Sequence, residues 1–305
     1  MNQATSVEPK SNRQKQVQGL IYALIGTALF SIKPIFVKVA YQYGGDATAI
    51  MSLRALSSLP FYALILLMLC KKPERRTQVT QFGWQAALVG VMGYYVASYL
   101  DIAALDYISA QLERLLIFLF PSIVVILSWM FLGQKPTGNV LRAVGLGYLG
   151  IAAILFHDVQ SLGEEIWKGS ALALGSAFVF AVYLMLSKSI ISKMGSDLFT
   201  SIGMGSAGIA IITHLSLSSA EMSQWSFELI VLGVLLGVFC TVLPSYFVAA
   251  AMARLSPTEL SITSNIGPGV TAVMAVAILS EAFTLYHFIG LCLVTFSVYS
   301  MKKSS

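Results

Sequence analysis

Residues 90–121, GVMGYYVASYLDIAALDYISAQLERLLIFLFP, and residues 237–268, GVFCTVLPSYFVAAAMARLSPTELSITSNIGP, align without an insertion at an offset of 147. Gly90 falls on Gly237, Ser98-Tyr99 on Ser245-Tyr246, Ser109 on Ser256 and Pro121 on Pro268. The match continues from Leu132-Gly133-Gln134 onto Leu279-Ser280-Glu281. The opening segments repeat at an offset of 150, through Gly19/Gly169, Phe30/Phe180 and Lys38/Lys188. The chain therefore reads as a duplication. If each copy crosses a membrane an odd number of times, the copies lie in opposite orientations, as in many secondary transporters.

Composition supplies the membrane. Of 305 residues, 57% are hydrophobic and 11% charged, against about 25% charged in an ordinary soluble domain. Apolar runs of about 20 residues recur along the chain, each long enough for a hydrocarbon core of about 30 Å. The formal charge of +5 lies mostly in short loops, where it sets orientation, and implies no nucleic-acid partner. Cys70, Cys240 and Cys292 show neither disulfide nor metal-ligand spacing. Residues 1–17 are polar and basic and read as a disordered cytoplasmic tail; the apolar segment after them is too long for a signal-peptide core.

The periodicity predicts ten helices, at about 18–41, 47–70, 83–105, 109–133, 138–156, 168–190, 197–217, 227–252, 257–280 and 285–301. Lys10, Arg13, Lys15, Lys71, Lys72, Arg75, Arg76, Lys135, Arg142, Lys188, Lys193, Arg254, Lys302 and Lys303 fall on one side, and among the opposite loops only Lys168 is basic. The positive-inside bias places both termini in the cytoplasm. Trp84, Trp129, Trp167 and Trp225 fall near helix ends, where an amphipathic indole prefers to sit. The expected fold is an all-α membrane protein: ten transmembrane helices in two inverted five-helix repeats, residues 18–157 and 168–301. Pro121 and Pro268 are the expected paired kinks.

This pattern resembles the drug/metabolite transporter superfamily, and specifically its EamA-type members. The resemblance rests on Ala104-Leu105-Asp106-Tyr107-Ile108-Ser109-Ala110 leading to Pro121, Leu132-Gly133-Gln134 and a glycine-rich fifth span. In the second copy it rests on Ala251-Met252-Ala253-Arg254-Leu255-Ser256-Pro257, Pro268, Leu279-Ser280-Glu281 and Gly290. It covers residues 18–301. One departure is Gln134, where the family pattern ends the fourth span with an acid; Glu281 retains it in the second copy. The resemblance implies a substrate cavity between the halves, lined by spans 1, 3, 4, 6, 8 and 9, and a range of small metabolites as substrates.

A charge at the centre of a membrane helix costs about 2.5–3.5 kcal/mol on insertion scales. Lys33, Lys38, Arg54, Asp101, Glu113 and Arg114 therefore need an account, and all six lie within about nine residues of the predicted outer surface, in the outer half of the bilayer. Their repeat mates are mostly uncharged: Asp101 corresponds to Val248, Glu113 to Leu260, Arg114 to Ser261 and Lys33 to Tyr183. The scaffold is thus buildable without these charges, which points to function. Asp101 and Arg114 are the expected ion pair, and Lys38 is near enough to its helix end to snorkel. Glu113 is the candidate for proton coupling. An excess of bases would favour an anionic group on the substrate.

Tyr94, Ser98 and Asp101, spaced i, i+4, i+7, are expected on one side of the third span, with Tyr95 and Tyr99 as a neighbouring ridge. Tyr183, Ser245, Tyr246, Ser264 and Asn265 are the matching polar positions of the second half. The candidate substrate-binding set is Lys33, Tyr94, Ser98, Tyr99, Asp101, Glu113, Arg114, Tyr183, Tyr246 and Asn265. Ser109 is expected to cap the fourth span, and Ser256-Pro257-Thr258-Glu259 reads as a capping box.

These features predict a secondary transporter, an exporter of small polar metabolites such as amino acids or their derivatives, working by alternating access in a bacterial inner membrane. The alternative is an antiporter of phosphorylated or nucleotide-linked sugars, with Lys33, Lys38, Lys188 and Arg114 on phosphate. No GxxxxGK[ST], HExxH or GxSxG motif and no local His/Cys ligand pattern occurs. An enzyme, a cofactor and a metal are therefore not expected; the partners are the lipid bilayer and the small-molecule substrate, with a proton as the candidate coupling ion.

Overall fold

A computed structural model describes residues 8–133, 135–218, 222–252, 254–255, 263 and 266–303. Its longer elements are α1 (Glu8–Gln42), α2 (Ala47–Leu69), α3 (Pro73–Gly90), α4 (Ala97–Ala104), α5 (Ala110–Ile117), α6 (Phe120–Leu132), α7 (Gly138–Leu162), α8 (Glu165–Met194), α9 (Ser196–Leu217), α10 (Phe227–Gly237), α11 (Leu243–Met252), α12 (Gly267–Leu279) and α13 (Leu285–Lys303). No strand occurs among the described residues. Among the described residues, eight helical segments are long and apolar enough to cross a membrane, and two further apolar helices, Gly267–Leu279 and Leu285–Ser300, are shorter. Leu67, Leu149, Phe131 and Phe156 are exposed on their outer faces, as are Trp84, Trp129 and Trp167. A bilayer makes that outward apolar surface favourable.

Several helices extend beyond their predicted spans, α7 to Leu162 and α8 over Glu165–Met194 among them. α1 begins at Glu8, so residues 8–17, expected as tail, are helical; their Glu, Lys, Arg and Gln have good helix propensity and need no membrane. α3 begins at Pro73, at the N-terminal position where its missing N–H costs nothing.

The offset of 147 reappears in the backbone. α3 passes into α4 through a π turn, Val91–Val96, and α10 passes into α11 through another, Val238–Val242. In the second turn Thr241 Oγ1 donates to Leu236 O (2.9 Å), occupying a carbonyl of the widened turn. α6 and α12 each begin with a proline in the first turn and end on a left-handed residue, Gly133 (φ 67°) and Ser280 (φ 55°). The predicted fourth span is accordingly two helices, broken at Phe118-Leu119 just before Pro121; Pro121 has no N–H to give back to the preceding turn and so starts a new helix in its first turn instead of continuing the old one. The capping box at Ser256–Glu259 and the departure at Gln134 lie outside the described residues.

Ser280 is the only described non-glycine residue with positive φ, and its N–H bonds Ala275 O as that of Gly133 bonds Ser128 O. A left-handed L-residue costs about 1 kcal/mol or more. Ser280→Gly is expected to raise stability by about 0.5–1 kcal/mol, read as a higher melting temperature in detergent.

Helices of the first half pack chiefly on helices of the second. α1 lies against α11 and α12, α2 against α9 and α10, α3 against α8 and α9, and α7 against α13. At the α3–α9 crossing Gly90 faces Gly203 so closely that a Cβ on Gly90 would overlap the Gly203 backbone. Small residues of this kind let membrane helices approach where the hydrophobic drive between them is weak.

The turn between α4 and α5 is held from two sides. Lys38 Nζ, expected to snorkel outward, donates instead to Leu105 O (2.9 Å) and Ile108 O (3.0 Å), the carbonyls left open after α4. At the start of α5, Ser109 Oγ accepts from Leu112 N (3.1 Å), as expected of a cap. Glu281, from the other half, accepts from Ala110 N (2.8 Å) and Gln111 N (3.3 Å). A carboxylate on orphan N–H groups at a helix N-terminus is doubly favourable, by hydrogen bonding and by the helix dipole. Glu281→Ala is expected to destabilise by about 1–3 kcal/mol, with Glu281→Gln intermediate, in thermal unfolding of the purified protein.

Candidate functional site

α5 is only eight residues long, yet two of them are charged, and its position fixes the site. Glu113 is 1% exposed and Asp101, across from it on α4, is 4% exposed. Both carboxyl groups are buried and lie close enough to interact electrostatically. Lys33 of α1 forms an ion pair with Asp101 Oδ2. Four of the predicted site residues, Lys33, Asp101, Glu113 and Arg114, are thus brought together from α1, α4 and α5.

The expected pairing within this set is corrected. Asp101 pairs with Lys33 and not with Arg114. Arg114 follows Glu113 by one position, about 100° around the helix, and so turns to a different neighbour. Its Nη2 lies 3.4 Å from Ser31 Oγ on α1. It also abuts the first residue of α12, where a Cβ on Gly267 would stand 3.2 Å from that nitrogen. Arg114 Nε and Glu113 Oε2 are buried with no hydrogen-bond partner among the described residues. Arg54 is buried nearby on α2, bonded to Met51 Sδ (3.2 Å), and forms no ion pair among the described residues.

The tyrosines form a separate cluster. Tyr183 OH donates to Tyr94 OH (2.9 Å), and the rings meet edge to face at 5.2 Å. Tyr246 OH lies 2.9 Å from Ser201 Oγ, and Tyr62 OH lies 3.1 Å from Ser245 Oγ. Tyr62 and Tyr246 are themselves ring neighbours at 5.9 Å. The spacing that grouped Tyr94 with Asp101 assumed an unbroken α-helix; the π turn at Val91–Val96 carries Tyr94 and resets that register. Ser98 is half-buried on α4. Tyr99 lies elsewhere, beside His214 (5.5 Å between rings) and on the wall of a pocket of about 290 Å³ shared with Tyr41, Asp46, Asp106 and Tyr107. Asn265 lies outside the described residues.

Sequence reasoning missed Tyr62 and Ser31. Each had a signal: Arg54, Ser58 and Tyr62 recur at i, i+4, i+8 and are all buried, and Thr27 and Ser31 stand i, i+4 on α1. Lys38, grouped with the buried charges, holds backbone carbonyls instead.

A buried, charged cluster between helices of both halves is the arrangement expected of a carrier. Residues 17–156 and 167–301 match the EamA-like transporter family. The chain belongs to that family. An EamA-like protein is a transporter rather than an enzyme, and this one is a multi-pass membrane protein. It is similar to the uncharacterized transporter YcbK of Bacillus subtilis, 27% identical over 97% of this chain and 96% of that one. It is also similar to the threonine/homoserine exporter RhtA of Salmonella typhimurium, 27% identical over 53% of this chain and 54% of that one. A crystal structure 14% identical in sequence shares its fold, with a TM-score of 0.60 over 96% of this chain and 98% of that chain.

Proposed function

We propose that this EamA-like transporter is a secondary exporter of small amino compounds bearing a carboxylate, such as amino acids or their derivatives. The observation that carries this reading is Arg114. Its buried guanidinium has an open Nε and faces the start of α12 at Gly267-Pro268-Gly269. A helix N-terminus is itself positive and favours an anion, so a carboxylate placed between the two would satisfy both. Broken membrane helices aimed at anionic substrate groups are a recurring device of secondary transporters. Lys33, Arg54 and Arg114 against Asp101 and Glu113 also leave the buried cluster with an excess of positive charge. The similarity to a threonine/homoserine exporter supports the same class of substrate.

Glu113 is the coupling residue in this reading. Two buried carboxyl groups beside each other cannot both ionise readily, so one holds a proton, and exchange of that proton with either side would link proton flow to substrate flow. Ten helices in two inverted repeats of five supply the alternating access; the π turns at Val91–Val96 and Val238–Val242, placed 147 residues apart, support that layout. The Lys/Arg-rich end faces the cytoplasm of an inner membrane. There Arg75 binds Asp197 (3.2 Å) and Met194 O (2.7 Å), fastening α3 to the α8–α9 turn as an inner gate.

The sugar-phosphate alternative is weaker. Lys38 is held by backbone carbonyls and Lys188 is exposed, which leaves only Lys33 and Arg114 for a phosphate. Counterflow across a metabolite panel in proteoliposomes tests the proposal. Saturable exchange of amino acids is expected; exchange confined to phosphorylated sugars, or an ohmic current, would contradict it.

A further inference from the structure

Away from the charged cluster, the C-terminal end of α7 meets the N-terminal end of α13. Here the fold joins residues 130 positions apart in sequence. His157 Nδ1 lies 2.9 Å from Asp158 Oδ1, and His287 Nε2 lies 3.4 Å from the same oxygen. The three ligand atoms all stand within 4.8 Å of one another. Asp158 and His287 are buried, and His157 is accessible along one edge.

We propose that His157, Asp158 and His287 form a binding site for a divalent transition-metal ion of the zinc class. Two imidazole nitrogens and one carboxylate oxygen are a donor set that suits zinc and its neighbours, and not magnesium or calcium. With bonds of about 2.0–2.2 Å, adjacent donors in a tetrahedral site stand roughly 3.4 Å apart, close to the two separations found.

The surroundings fit as well. Ligating histidines have their second nitrogen fixed by an outer partner. His287 Nδ1 is fixed by Thr284, whose Oγ1 lies at 2.9 Å and whose N–H donates at 3.4 Å. That leaves Nε2 as the nitrogen turned towards Asp158. Tyr286 stacks on the His157 ring at 5.0 Å, and Phe283 lies beside His287 at 6.2 Å, so an apolar wall encloses the cluster. A bound ion would tie the last helix of the first half to the last helix of the second. His157 gives the fourth coordination position access from solution. Since neither helix contributes to the charged cluster, the site is structural or regulatory and independent of substrate.

The test is zinc titration calorimetry on the metal-stripped full-length protein in detergent, with cobalt substitution read by visible absorption. One ion per chain is expected, with the spectrum of tetrahedral cobalt and no competition from magnesium. His157→Ala and His287→Ala should each weaken zinc binding by at least about 100-fold. His157 is the edge residue, so its variant should fold even if His287→Ala does not. Absence of zinc binding to the wild-type chain, or undiminished binding in His157→Ala, would overturn the proposal and leave a hydrogen-bonded His–Asp–His cluster.

Discussion

Glu113→Gln is expected to abolish proton-driven export, by at least about 100-fold as for other essential proton-transfer groups, while the protein inserts and folds normally. The glutamine is nearly isosteric and keeps a donor to offer Asp101, so the contact between α4 and α5 survives. What it removes is the exchangeable proton. Glu113 Oε2 has no hydrogen-bond partner among the described residues, so the near-isosteric change breaks no hydrogen bond there and leaves no new unpaired charge. Melting in detergent should therefore be unchanged. Full export driven by a pH gradient in this variant would remove Glu113 from the mechanism.

Lys33→Ala should behave differently, for a reason that only the structure supplies. Lys33 is the ion-pair partner of a buried Asp101. Removing one member of such a pair leaves an uncompensated charge and costs about 3–5 kcal/mol. Loss of transport in the single variant would thus mix function with misfolding. The double variant Lys33→Met, Asp101→Val separates them, because the repeat mate of Asp101 is Val248 and the scaffold there accommodates valine. Most of the stability lost in Lys33→Ala should return, with transport still absent. Wild-type flux in the double variant would reduce the pair to scaffolding.

These two expectations show where the sequence was legible. The repeated stretch at 90–121 and 237–268 announced positions at which the backbone departs from regular helix. The π turns, the prolines in the first turns of α6 and α12, and the left-handed residues Gly133 and Ser280 all keep that offset. Comparing charges across the repeat also singled out Lys33, Asp101, Glu113 and Arg114, which meet in space. The direction of each side chain was less legible. Tyr94 and Asp101 were grouped by a period of 3.6 that the π turn interrupts. Arg114 was assigned to Asp101 by depth alone, although depth does not fix azimuth around a helix. Contacts set by tertiary packing left no local mark at all, as with Glu281 capping α5 and His157 meeting His287.

Arg114 and the start of α12 are expected to receive a substrate carboxylate. Counterflow in proteoliposomes of an exchanged amino acid against its carboxamide, in the wild type and in Arg114→Gln, tests it most directly. The wild type should exchange the acid saturably and discriminate strongly against the amide, and Arg114→Gln should lose that preference. Equal exchange of acid and amide by the wild type would contradict the account.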